Sequence, residues 1–103
     1  MAEFVTVAKT SDIPPGERLV VQLGRKWIVI FNVDGILYAI DDQCSHEDYP
    51  LSEGELDGLE IECPQHGARF DITTGMNLSA PAIVPVRSYE VRVEDDDVKV
   101  AKR

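Results

Sequence analysis

The stretch Cys44–His66, CSHEDYPLSEGELDGLEIECPQH, holds both cysteines and both histidines of a 103-residue chain. They are grouped as Cys44-x-His46, a gap of sixteen residues, and Cys63-x-x-His66. Thiolates and imidazoles are the soft and borderline ligands of proteins, so two matched pairs in one region point to a bound metal centre. The surroundings of the pairs are as uneven as their placement. Residues 41–62 contain nine acids (Asp41, Asp42, Glu47, Asp48, Glu53, Glu55, Asp57, Glu60 and Glu62) and no Lys or Arg.

Outward from this stretch, the composition describes one globular domain spanning residues 1–103. The apolar fraction is 44%, enough for a core of its own at this length. Ten basic residues against nineteen acidic give a net charge of −9. A phosphate backbone attracts Lys and Arg, so nucleic acid is not the expected partner. An acidic surface suits a basic protein partner reached by electrostatic steering. No apolar run approaches the ~20 residues that span a bilayer, so no membrane segment is expected. The N-terminus MAEFVTVAKTSD lacks the charged start and apolar centre of a signal peptide. A cytoplasmic monomer is the expectation, and in a reducing compartment paired Cys and His read as ligands rather than a disulfide.

Alternating and β-branched runs predict strands throughout: residues 4–8, 18–23, 26–31, 36–40, 59–63, 68–72, 89–94 and 98–101. Gly24-Arg25, Asp34-Gly35, the TTG of 73–75 and the acidic run near 95 supply turns, and Pro14-Pro15-Gly16 breaks the chain after the first strand. No segment repeats apolar residues at i, i+3, i+4 and i+7 for long enough to make a ten-residue helix. The expected fold class is all-β, an antiparallel stack or barrel-like sandwich. Trp27, Phe31, Tyr38 and Phe70 fall on these strands and are expected in the core.

Four readings of the ligand set compete. Free cysteines and isolated histidines are often inert core or surface groups. A Cys2His2 zinc site has suitable donors, but zinc fingers usually take both thiolates from one close pair and both histidines from a helix, and here each pair is mixed. Cys/His nucleophilic catalysis uses one pair and leaves the other unexplained. A [2Fe–2S] cluster with mixed ligation uses all four. Residues two apart in extended backbone project to one side, so Cys44 and His46 can reach adjacent irons, and Cys63 and His66 can do so across a turn at Pro64.

The motifs C-S-H and C-P-Q-H-G resemble the Rieske signature, C-x-H and C-x-x-H-G. The resemblance runs nearly continuously from Phe31 to Ala82 and is to the ferredoxin components of bacterial ring-hydroxylating oxygenase systems. It implies a Rieske-type fold of three stacked antiparallel β-sheets, with two cluster-binding loops at one tip and a cluster-binding region of about 41–82. It implies one [2Fe–2S] cluster with metal ligands Cys44, His46, Cys63 and His66, and exposed histidines as the electron exit. Gly67, Ala68 and Pro81 are the implied surroundings of the cluster. Gly67 allows close backbone approach, and Pro81 lies in a covering loop at 79–82. The implied function is a soluble electron carrier, not an enzyme. It would pass single electrons from an NAD(P)H-dependent flavoprotein reductase to a terminal Rieske non-haem iron oxygenase. The alternatives are a small Rieske subunit of a multi-subunit oxidoreductase of nitrite-reductase type, and a zinc-stabilised binding module.

Charge places the expected potential. With two thiolates and two neutral imidazoles, the site is neutral when oxidised, whereas four thiolates would leave it doubly negative. Mixed ligation therefore raises the potential, to a class range of about −150 to +300 mV. High-potential relatives carry an extra loop disulfide and hydroxyl donors to the cluster sulfurs. The matching positions here are Tyr49 and Gln65 for the disulfide, and Ala68 and Phe70 for the hydroxyls. Losing those donors, and adding nine nearby acids, predicts the low end of the range.

Overall fold

A computed structural model of the chain describes residues 3–44, 49–65, 67–79 and 84–102. Nine strands are described: β1 (Val5–Lys9), β2 (Arg18–Leu23), β3 (Lys26–Val33), β4 (Ile36–Asp41), β5 (Glu55–Asp57), β6 (Glu60–Glu62), β7 (Arg69–Asp71), β8 (Ser88–Glu94) and β9 (Asp97–Lys102). The only helical pieces among these residues are single 3-10 turns at Thr10–Asp12 and Leu51–Glu53. All pairings are antiparallel, in a six-stranded sheet of order β1-β9-β8-β4-β3-β2 and a three-stranded sheet of order β5-β6-β7.

Side-chain alternation along β3 explains how the layers stack. Successive residues of a strand point to opposite faces. Ile28 and Ile30 enter one core with Ile13, Ala39, Tyr89, Val98 and Val100. Val29 and Phe31 enter another with Ile40, Leu51, Ile61, Phe70, Ile72 and Val86. From Ile28 to Phe31, β3 is therefore buried on both faces, which is why this part reads as a continuous apolar run rather than an alternating one. The first core fills the inside of the large sheet, whose edge strands β1 and β2 come against each other. The second lies between that sheet and the small one.

Three stacked sheets were the expectation; three layers form, but two of them are halves of one hydrogen-bonded sheet. β4 and β8 share only the pairs Ala39↔Tyr89 and Ile40↔Ser88. This short seam lets the sheet fold over while keeping its ladder continuous. A second difference is β5, which was not anticipated. Its hairpin turns at Gly58-Leu59, between the paired Asp57 and Glu60, with Gly58 at φ 63°. The strand residues Glu55, Leu56 and Asp57 have weak strand propensity and are held by pairing Leu56 with buried Ile61.

Asn32, at the end of β3, ties the large sheet to the Pro14–Gly16 turn. Its amide donates to the Ile13 carbonyl (2.7 Å) and its side-chain oxygen accepts from Gly35 N–H (2.8 Å). Its backbone accepts from Gly16 N–H and donates to the Glu17 carbonyl. Leu at this position leaves the two side-chain partners unmet. Asn32→Leu is expected to cost about 2 kcal/mol, a fall of roughly 10 °C in Tm by thermal denaturation.

Tyr89 lies in the first core and donates its phenol to Asp41 Oδ1 at 2.5 Å. Burial and then the Asp41 carboxylate raise its pKa far above the ordinary 10. The folded state thus holds this proton more tightly than the unfolded chain. The resulting stability is complete below about pH 10 and is lost as pH rises through the folded-state value. Urea titrations should show stability falling above about pH 10, with a shallower fall in Tyr89→Phe.

Candidate metal centre

Cys44 follows β4 by three residues, and the approach is fixed from two sides. Asp42 N–H donates to the Trp27 carbonyl at 2.9 Å. The Asp42 carboxylate accepts from Ser52 N–H (2.6 Å) and Ser52 Oγ (3.0 Å). Cys44 N–H then donates to the Tyr49 carbonyl at 2.8 Å and closes a loop with four residues between the two. Cys63 follows β6 directly, and its N–H donates to the Ala68 carbonyl at 2.7 Å, again closing a loop with four residues between. Gly67 N–H returns to the Cys63 carbonyl at 3.0 Å, with Gly67 at φ 75°, a conformation that favours glycine. The two cysteine loops thus share one closure: the cysteine N–H bonded to the carbonyl five residues on.

Both cysteines are 1% exposed and belong to the second core, with Ala68 and Phe70. They are not bridged to each other. Tyr49 packs on the same core, and Gln65 is exposed. The positions matched to hydroxyl donors therefore hold a methyl group and a phenyl ring at 0% exposure. Ser79 is the last described residue before the segment expected to cover the site, of which residues 80–82 lie outside the described residues. Its Oγ accepts from Arg69 N–H (3.1 Å) and donates to the Gly67 carbonyl (3.5 Å). His46, His66 and Pro81 lie outside the described residues. So do Glu47 and Asp48.

Arg18 holds this region to the large sheet. Its Nη1 donates to the carbonyls of Ser52 (3.0 Å) and Gly54 (2.8 Å), and the guanidinium stands 5.1 Å from the Phe31 ring centroid. Sequence reading missed this anchor, because Arg18 looks like any strand cation and its partners are 34 and 36 residues away. Trp27 also departs from expectation, being 55% exposed rather than in the core. It is the first odd-numbered residue of β3, beyond the part that the small sheet covers, and beside Asp42 and Pro50.

An iron–sulfur centre needs soft anionic donors shielded from water. Two buried thiols in one apolar core, each on a loop with a fixed base, meet that need from the cysteine side. The other two donors of the motif lie outside the described residues, and no group of three His, Cys, Asp or Glu converges among those that are described. No helix of the described residues is long and apolar enough to cross a membrane.

Comparison with known proteins agrees with this chemistry. Residues 3–90 match the Rieske [2Fe-2S] domain. The chain is 42% identical over 94 residues to the ferredoxin component of biphenyl 2,3-dioxygenase from Rhodococcus jostii, covering 91% of this chain and 88% of that protein. It superposes with a TM-score of 0.90 on the ferredoxin of carbazole 1,9a-dioxygenase from Nocardioides aromaticivorans, at 33% identity over 97% of this chain and 98% of that one. A ferredoxin captured in complex with the oxygenase of carbazole 1,9a-dioxygenase gives a TM-score of 0.88 at 40% identity, covering 97% and 95%. On the match over residues 3–90 and the likeness in length and fold to these relatives, the chain belongs to the Rieske [2Fe-2S] domain family.

Proposed function

We propose that this chain carries single electrons from an NAD(P)H-dependent flavoprotein reductase to a terminal Rieske non-haem iron oxygenase. The observation that carries the reading is the pair of matched cysteine loops closing on one apolar core. Relatives of nearly the same length are named as ferredoxin components of dioxygenase systems, which supports the same role here. Cys44 and Cys63 would hold one iron of a [2Fe–2S] cluster, and His46 and His66 the other. That cluster supplies a one-electron acceptor and donor.

The protein's contribution is the setting. Burial of both cysteines excludes water from the thiolate side. The closure bonds at Cys44–Tyr49 and Cys63–Ala68, with the Asp42–Ser52 and Arg18 links, hold the loop bases still, so little has to rearrange when charge arrives. His46 and His66, on the two loops, are the exit points toward a partner. The acidic stretch around them steers a basic partner surface, more strongly at low salt. The working state is a monomer in the cytoplasm.

Methyl and phenyl groups at Ala68 and Phe70 give no hydrogen bonds to sulfur, so the carrier works at the low end of its class. Reconstitution tests the role. A biphenyl-dioxygenase-type reductase and oxygenase, supplied with NADH, should hydroxylate biphenyl only when the holoprotein is added. Equal turnover with and without it would overturn the role. A potential above about +100 mV would overturn the low-potential assignment.

A further inference from the structure

Between Lys26 and Arg87 the chain contains one Lys or Arg, Arg69. It begins β7, one residue beyond the loop that Cys63 and Ala68 close, and it faces Glu62 across the β6–β7 hairpin. Arg69 Nη2 donates to Glu62 Oε1 at 2.8 Å. Its Nη1 lies 3.5 Å from Glu60 Oε1 and 3.8 Å from Asp57 Oδ2. Glu62 does more than decorate the sheet. Its second carboxylate oxygen stands 3.8 Å from where a Cβ on Gly67 would sit, so the charge lies against the second ligand loop. The Glu62 and Arg69 side chains are 39% and 35% exposed, more sheltered than a free surface pair.

A carboxylate so placed, left unpaired, opposes the arrival of an electron. Paired with a guanidinium, most of its field at the loop is cancelled. We propose that Arg69 is a charge-compensating residue that sets the reduction potential by neutralising Glu62 beside the Cys63–Ala68 loop. The proposal rests on the electron-carrier reading above and adds to it a named pair that tunes the carrier. Opposed signs follow. Arg69→Gln exposes the loop to Glu62 and lowers the potential. Glu62→Gln removes the anion, leaves the cation and raises it. The double variant falls between the two, and Arg69→Lys, which keeps the charge, stays near wild type. A purely structural role for the pair would move both single variants the same way or neither.

The test is an equilibrium redox titration of each holoprotein against a dye mediator, one electron passing from reduced dye to protein. The equilibrium constant should fall about threefold in Arg69→Gln and rise about threefold in Glu62→Gln. At 59 mV per tenfold for one electron, each shift is about 28 mV. Both shifts should shrink as salt is raised. Unchanged potentials, or shifts of the same sign, overturn the proposal. If Arg69→Gln does not retain its colour, Glu62→Gln decides alone: a rise supports the proposal and no rise overturns it. A wild-type protein with no iron–sulfur absorption would sink the carrier reading and this proposal together. A coloured wild type with unmoved variants sinks only the proposal.

Discussion

Serine in place of Cys44 or Cys63 should yield a protein without iron and without visible absorption. A hydroxyl is a harder donor than a thiolate and does not ionise near neutral pH. Replacing groups that merely orient metal ligands already costs 10- to 100-fold in metal affinity as a rule, so loss of a ligand costs at least about 100-fold. Both side chains are buried in the core that also contains Ile61 and Phe70. The damage should be local. The core around Ile28, Ile30, Tyr89 and Val98 belongs to the large sheet and does not include either cysteine. The variants should keep β-type circular dichroism while iron analysis falls to background. Gln65→Ala, at an exposed position in the same loop, should keep its iron. A Cys63→Ser protein with full iron content would show that the donor set has been misread.

Alanine at Gly75 should be among the most damaging single-methyl changes. Gly75 has φ 82° and carries two crossing contacts: its N–H donates to the Asp71 carbonyl (2.7 Å) and its carbonyl accepts from Val86 N–H (2.9 Å). An added Cβ would stand 2.1 Å from the Val86 carbonyl oxygen, a backbone atom with no rotamer to change. Left-handed strain and overpacking each cost about 1–3 kcal/mol. Their sum, about 2–6 kcal/mol, lowers Tm by at least roughly 8 °C. Gly24→Ala provides the comparison. Its φ is 62° and nothing lies within 4 Å of the added carbon, so only the strain remains, about 1 kcal/mol. Calorimetry on the two variants separates the terms. Equal losses would mean that the Val86 contact is unimportant.

The strands built on Val, Ile, Leu and aromatic residues were legible from their residues, and so were the tight turns at Gly24, Asp34-Gly35 and Gly75, because those signals are local. β5 was not, since an acidic triplet becomes a strand only when Leu56 finds Ile61. The folding-over of the large sheet is set by a two-pair seam between residues about fifty apart, a distance at which periodicity says nothing. Within the site, type and spacing singled out Cys44 and Cys63, and both lie buried at the base of loops closed in the same way. The supports were not legible. Arg18, Ser52 and Ser79 each act through a pair of hydrogen bonds to backbone or carboxylate, and such bonds leave no pattern in a sequence. Trp27 was misjudged because aromatic residues on strands are usually covered, and here the covering sheet stops short of it.

The central claim is a [2Fe–2S] cluster held by two cysteines and two histidines. Its most direct test is the spectrum of the purified protein, visible and electron-spin-resonance, before and after dithionite, with iron and sulfide analysis. The expected result is a coloured protein with equal iron and acid-labile sulfide. It should bleach on one-electron reduction and then show a resonance whose average g lies well below 2, as mixed His/Cys ligation gives. A colourless protein containing zinc and no sulfide would contradict the account.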